Sequence, residues 1–187
     1  LCKIVKKHKR ILFNGDNYSD DWKKEAGRRG LPNLTKTPES LKALIKPENM
    51  AIFVKYGLLT ERELKSRYEV YMHAYETTVD IEAECALTIA RTQILPAALR
   101  FQAELGESIA SAEGKATGQK KLAASVTAEI ERMVARLDGL EKAVDSEKSL
   151  EILECMSLLR ESADALEGMV PDNLWPLPSY AEMMFMY

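Results

Sequence analysis

The sequence is poor in the groups that most often do chemistry. Among 187 residues there are two histidines, His8 and His73, and three cysteines, Cys2, Cys85 and Cys155. The cysteines are odd in number, far apart and outside any CxxC or Cys/His grouping, which excludes a disulfide framework and predicts reduced thiols in a cytoplasmic protein. Cys85 and Cys155 fall in apolar helical stretches, where a thiol is expected to pack as a small hydrophobe. No run of eighteen or more uncharged apolar residues is present, which excludes a membrane-spanning helix. The first ten residues carry five basic groups and lack the apolar stretch of a signal peptide. Nine glycines and seven prolines are too few for a collagen-like or low-complexity chain.

What is present is the material of a helical, globular protein. Hydrophobic residues at 46% and charged residues at 29% give a chain of this length enough apolar matter for a real core. The net charge of −3 conceals an asymmetry. Residues 1–60 hold thirteen Lys/Arg against six Asp/Glu and the remainder thirteen against twenty-three, so the two parts carry about +7 and −10. The basic start (Lys3, Lys6, Lys7, Lys9, Arg10) lacks interleaved stacking aromatics, so nucleic acid is not the expected partner. It fits the last turn of a helix, where cations compensate the terminal carbonyls. The chain opens on Leu1 rather than Met, which reads as a piece of a longer polypeptide.

Punctuation divides the first sixty residues into short elements. Ile11-Leu12-Phe13 is the one segment that reads as a short strand, with Asn14-Gly15 as a turn after it. Ser19 followed by Asp20 and Asp21 predicts a capped helix that stops at Gly30. Leu31 should be extended ahead of Pro32. Thr37-Pro38 restarts helix with Thr37 as cap, and Pro47 opens another short helix ending near Gly57. From Thr60 the pattern lengthens. Thr60-Glu61-Arg62-Glu63 is a capping box, and Leu64, Tyr68, Tyr71, Tyr75, Val79, Glu82, Ala86 and Ile89 recur at helical spacing. Pro96 predicts a bend with helix resuming through Phe101 and Leu105, and Gly106 and residues 113–119 predict loosening and a turn. Leu122, Val126, Ile130, Met133, Leu137, Leu140 and Val144 form the clearest amphipathic stripe. A last helix carries Leu153, Met156, Leu159, Ala163 and Leu166 and ends at Gly168 and Pro171. Short connections predict an all-α fold, a bundle of three long antiparallel helices with the shorter N-terminal helices packed against it. The organisation is thus 1–17 as the end of a preceding region, 18–60 as short helices and turns, 61–170 as the long-helix bundle, and 171–187 as a Pro/Trp-rich apolar tail expected to fold back or dock on a neighbour.

A search for chemistry along this framework finds no constellation. His73 lies near Glu69 and Glu76, but the Glu-x-x-His motif of di-iron bundles is missing, and His73 is expected at the surface or hydrogen-bonded. Asp80, Glu82 and Glu84 make an acidic cluster expected to pair with Arg67 or Arg91. The stretch Gly114 to Lys120 departs from phosphate-loop spacing, because Gln119 follows the second glycine. GxSxG, HExxH and a Cys/His pair are all missing. Tyr68, Tyr71 and Tyr75 at helical spacing read as bundle packing with hydroxyls at the rim.

Several segments together resemble one family. Ile11-Leu12-Phe13-Asn14-Gly15-Asp16 with Tyr18-Ser19 and Trp22, then Arg29-Gly30-Leu31-Pro32-Asn33, resemble the region after the catalytic part of type III glutamine synthetases. Ser66-Arg67-Tyr68-Glu69, Gln93-Ile94-Leu95-Pro96-Ala97 and Leu174-Trp175-Pro176-Leu177-Pro178-Ser179-Tyr180 through Met184-Phe185 resemble that family's C-terminal helical domain in the same order. The resemblance implies an intact enzyme that joins ammonia to glutamate with ATP and divalent cations, Mg or Mn, in a large assembly of stacked rings. Its active sites would lie in a catalytic barrel outside this chain, so no catalytic, cofactor or metal residue carries over and the isolated chain is expected to be inactive. The implied role is structural. It packs on the upstream catalytic domain and neighbouring subunits, with Trp22, Arg67, Tyr68, Trp175, Tyr180 and Phe185 as candidate interface residues. Two other readings stay open at this point: a freestanding helical module that presents an amphipathic face to a partner, and a small helical enzyme with an unrecognised carboxylate site.

Overall fold

The computed structural model describes residues 2–112, 114, 116–146, 148–178 and 180–184. Among these there is no strand, and the chain is all-helical. The helices are α1 (Cys2–Lys7), α2 (Asp20–Arg28), α3 (Thr37–Leu44), α4 (Pro47–Lys55), α5 (Glu61–Ile89), α6 (Leu95–Ser111), α7 (Thr117–Asp145), α8 (Ser149–Glu167) and α9 (Tyr180–Met184), with a 3₁₀ turn at Lys9–Ile11 and a π-helical segment at Ala90–Ile94. None is long and apolar enough to cross a membrane. The chain divides into two compact units, 1–75 and 76–187, and α5 runs from the first into the second.

In the N-terminal unit the helix ends are specified by local chemistry. Ser19 caps α2 by accepting the backbone N–H of Trp22 at 3.4 Å. The C-terminus of α2 closes as a Schellman motif, with Leu31 N–H bonded to Ala26 O at 2.9 Å and Gly30 N–H to Gly27 O at 3.0 Å. α4 repeats the device, Leu58 N–H to Phe53 O at 2.9 Å and Gly57 N–H to Val54 O at 3.0 Å. Each motif needs a left-handed residue, and Gly30 and Gly57 supply φ of 69° and 63°. The box at Thr60 forms in full: Glu63 accepts the Thr60 backbone N–H at 2.7 Å, and Thr60 Oγ1 accepts the Glu63 N–H at 3.2 Å.

Several expectations for this unit need correction. Ile11 closes a 3₁₀ turn, while Leu12 and Phe13 are irregular. With no neighbouring strand to pair with, β-propensity is not enough to make one. Gly15 in the bend does not use positive φ. A Cβ there would lie 2.8 Å from Phe13 Cε1 and would push the ring aside. Lys36 rather than Thr37 holds the cap position of α3, a one-residue shift that leaves Pro38 in the first turn.

The C-terminal unit holds most of the buried apolar residues. One stripe runs through the end of α5, the π segment and α6: Val79, Ala83, Ala90, Ile94, Ala98, Phe101 and Leu105 are all buried. Pro96 does not interrupt it. Proline has no N–H to give Thr92 and its ring crowds that carbonyl. The turn before it widens instead, and Leu95 N–H reaches back five residues to Ala90 O. Helix then continues straight past Gly106 to Ser111, correcting the expected loosening there. α7 packs against both α6 and α8. Its buried apolar residues are Val126, Ile130, Met133, Leu137, Leu140 and Ala143. Leu122 at one end of the expected stripe is exposed and Val144 at the other is half-buried, because a straight 3.6-residue helix drifts away from a seven-residue pattern. α7 already begins at Thr117, so Thr117, Gly118 and Gln119 are helical rather than part of a turn; Glu113 and Lys115 lie outside the described residues. On α8 the buried positions are Ile152, Leu159, Ser162 and Leu166, while Leu153, Met156 and Ala163 are half-buried.

Polar bonds between helices fix their pairing. Gln102 donates to Thr127 at 2.7 Å, and Arg91 grips Glu141 at 3.0 and 2.7 Å. Arg136 on α7 donates to the fully buried Ser162 hydroxyl at 2.8 Å and to Glu161 at 3.1 Å on α8. The acidic cluster on α5 does not take part. Glu82 and Glu84 are exposed, and Arg91 uses Glu141 instead. Carboxylates on a surface retain their hydration, which burial would forfeit. Cys85 is exposed and Cys155 half-buried, so neither is a core residue.

This packing can be probed at two positions. Leu140 is fully buried, and Leu140→Ala should lower unfolding free energy by about 2–5 kcal/mol in urea titration. Thr60→Ala, which removes one half of the capping box, should cost about 1 kcal/mol and fray the start of α5 in hydrogen exchange.

Candidate functional site

Two separate places collect the residues that sequence reasoning singled out. In the N-terminal unit Trp22 on α2 packs its ring against Phe13, with centroids 4.8 Å apart and planes tilted by 31°. The Arg29 guanidinium lies 5.6 Å from the Trp22 ring centre. It also donates to the carbonyls of Leu12 at 2.6 Å and Arg10 at 3.1 Å, tying the segment before α2 to that helix. Glu25 receives Arg28 at 2.7 Å and also Arg29, which holds its carboxyl far below its usual range, at about 2. Arg28 provides the larger part and Arg29 adds to it.

In the C-terminal unit the tail folds back onto the helices. Trp175, Leu177 and Met183 join Ile89, Met156 and Leu159 around an open apolar cleft of about 420 Å³. Arg160 and Asp164, an ion pair one turn apart on α8, and Glu167 stand at its border. Trp175 is half-buried, and its indole Nε1 is buried without a hydrogen-bond partner among the described residues. The half-burial of Met156 and Ala163 has the same origin, since they face this cleft rather than α7.

Arg67 and Tyr68 are at neither place. Tyr68 on α5 is half-buried and Arg67 is exposed beside it. Tyr71 is exposed and Tyr75 half-buried, so the tyrosine series does not form one packed face. Tyr180 begins α9, and Phe185 lies outside the described residues. Sequence reasoning missed Phe13 and Arg29 as the partners of Trp22. It also missed Glu129, a carboxylate only 5% exposed within the apolar stripe of α7. One Glu129 oxygen pairs with Arg132 and the other is buried without a partner among the described residues. Its position beside Ile130 was the available signal, masked by the general preference of charge for the solvent side.

Local cations and a helix cap set the charge state of several carboxyls, two of them on α2 with Trp22. Here the carboxyls of Asp20, Glu25, Glu63 and Glu141 are all pushed down, by Lys23, by Arg28 with Arg29, by the Thr60 cap and by Arg91 respectively. Each is thereby locked in its charged form. Among the described residues no group of three or more His, Cys, Asp or Glu is placed to hold a metal ion. What both places offer is aromatic and apolar surface with charged side chains beside it.

A family model described as the glutamine synthetase C-terminal domain matches residues 1–113. The chain belongs to that family. It is 32% identical over 209 residues to the type-3 glutamine synthetase of Dictyostelium discoideum, an alignment that takes in 98% of this chain and 28% of that protein. It is 30% identical over 203 residues to the glutamine synthetase of Butyrivibrio fibrisolvens, covering 99% and 29% respectively. With the glutamine synthetase of Bacteroides fragilis the identity is 28%, covering 94% of this chain and 27% of the relative. The chain therefore spans little more than a quarter of the length of these relatives. Glutamine synthetase similarity extends beyond the family model through the α7–α8 region and the tail, since the alignments reach almost the whole chain.

The Glu25 cluster gives a pH prediction with a definite sign. Because the folded carboxyl titrates near 2 and the ordinary value is 4.5, its support of α2 is present above 4.5 and is lost as pH falls toward 2. A carboxyl-resolved NMR titration should place Glu25 well below the other glutamates, and Arg28→Gln with Arg29→Gln should return it toward 4.5.

Proposed function

We propose that the chain is a structural and assembly domain of a type III glutamine synthetase, and that it contributes no catalytic group. The longer enzyme would join ammonia to glutamate using ATP and a divalent cation, Mg or Mn, bound by residues outside this chain. Its partners are then the catalytic part of its own polypeptide and neighbouring subunits of a homo-oligomeric ring, in the cytoplasm. The observation that carries this reading is the family match together with the share of each relative that the chain spans. Two features support it. Glu25 is held in its charged form by Arg28 and Arg29, and apolar surface is collected at Trp22 and at the Trp175 cleft.

The proposed scaffold is an up-down-up arrangement of three long helices: α5 continuing into α6, then α7, then α8. Its support is the order of the interhelical bonds. As partners on the first rod descend from Gln102 to Arg91, those on α7 ascend from Thr127 to Glu141, the sense of antiparallel neighbours. A freestanding interaction module gains no support from the comparisons, all of which are with glutamine synthetases.

The test is to place Trp175→Ala with Tyr180→Ala in the complete enzyme and follow ring assembly by sedimentation velocity. A buried interface tryptophan contributes about 2 kcal/mol or more, so each contact should weaken by roughly 30-fold and rings should dissociate on dilution. Rings that persist with unchanged dilution behaviour would contradict the assembly role, and a thermal melt of the same variant separates lost contact from lost folding.

A further inference from the structure

We infer that residues 2–58 form a docking face for a protein surface outside these 187 residues, apolar at its centre and acidic at its rim, supplied by the remainder of the glutamine synthetase polypeptide. This rests on the function proposed above and names which part of the domain makes the contact and what it contacts.

The first observation is a small core. Among the described residues of the unit 1–75, only Ala26 and Leu64 are buried. Large apolar side chains lie open: Ile11, Leu12, Ile52, Val54, Tyr56 and Leu58 are all exposed, Tyr56 to 68%. The second observation is helix length. α2, α3 and α4 have nine, eight and nine residues. Helices shorter than about 12–15 residues are marginal in water without tertiary packing of an apolar face. Caps are present, but a cap is worth only about 1 kcal/mol. Three short helices, of which only α2 has a side-chain N-cap, with apolar residues exposed around them, call for a covering surface.

Charge identifies that surface. Residues 1–60 hold thirteen basic against six acidic groups. Two of the six, Asp20 and Glu25, are neutralised by cations of their own helix, Lys23 and Arg28 with Arg29. The segment carries a net charge of about +7, so its complement is acidic. A second copy of the same face is disfavoured by like-charge repulsion. Apart from Tyr18 and Tyr56 the exposed apolar side chains are aliphatic Ile, Val and Leu, which pack on protein rather than stack on nucleic-acid bases. The relatives supply the candidate: nearly three-quarters of each lies outside the region aligned with this chain.

Hydrogen exchange by mass spectrometry tests the inference on the 187-residue chain and on the complete enzyme. In the chain alone, amides of residues 20–55 should exchange within about tenfold of unstructured rates, while α7 and α8 are slowed by about 1,000-fold or more. In the complete enzyme residues 20–55 should gain about 100-fold protection, and Lys6→Glu with Lys7→Glu should reverse part of that gain. Protection of 20–55 in the chain alone would overturn the inference, whether the chain sediments as a monomer with its own core or as a dimer of this face. So would protection conferred by phosphatidylserine-containing vesicles but not by the complete enzyme, and an unchanged gain in the lysine variant would overturn the acidic rim. If residues 20–55 stay open in the complete enzyme while Trp175→Ala breaks the rings, this inference fails and the assembly role stands. If residues 20–55 gain protection while Trp175→Ala leaves the rings intact, the docking face stands and the assembly role of the tail fails.

Discussion

Exclusion of water from the apolar stripe of α7 is the interaction on which the C-terminal unit depends. Val126, Ile130, Met133, Leu137, Leu140 and Ala143 are buried along a single helix that touches both α6 and α8. At about 25 cal/mol for each Å² of apolar surface removed from water, such a stripe outweighs the polar contacts around it. The interhelical bonds serve a different purpose. Arg136 satisfies the buried Ser162 hydroxyl, and Arg91 and Gln102 fix where α7 lies along its neighbour. Register is set by these groups and cohesion by the stripe.

The N-terminal unit is organised on the opposite plan. Its order is local: a Ser19 cap, two Schellman closures, a capping box and an arginine that pins a preceding segment by two carbonyls. Such devices specify where helices begin and end without supplying a core. The contrast in charge follows the same division, with an excess of cations in the first sixty residues and of anions in the rest. A domain built this way has one half that sustains itself and one half shaped to be covered. That is consistent with membership of a family whose members are several times longer than this chain.

Much of this was legible in the residues. Helix starts at Ser19, Pro47 and Thr60 and stops at Gly30 and Gly57 could be read directly, because caps and left-handed glycines act over four or five residues. The α7 stripe was legible in its middle and failed at both ends, where Leu122 emerges and Ala143 replaces Val144 inside. What could not be read depends on distant partners. The Ile11–Phe13 segment has the composition of a strand and no strand to join, and its true partner is Trp22. Glu129 lies inside the stripe with Arg132 on one oxygen, and Met156 turns toward Trp175 rather than α7. The candidate residues divide in the same manner: Trp22 and Trp175 each sit in a described cluster, while Arg67 stands at an exposed position that sequence could not distinguish from any other surface charge.

The two tryptophans allow the central claim, that cohesion resides in the α6–α7–α8 packing, to be tested in one measurement. Urea unfolding of the chain can be followed by fluorescence in a Trp22→Phe variant, which reports Trp175, and in a Trp175→Phe variant, which reports Trp22. The account predicts that the Trp175 signal changes together with the main loss of helical circular dichroism, and that the Trp22 signal is lost at distinctly lower urea. Coincident transitions, or loss of the Trp175 signal first, would contradict it.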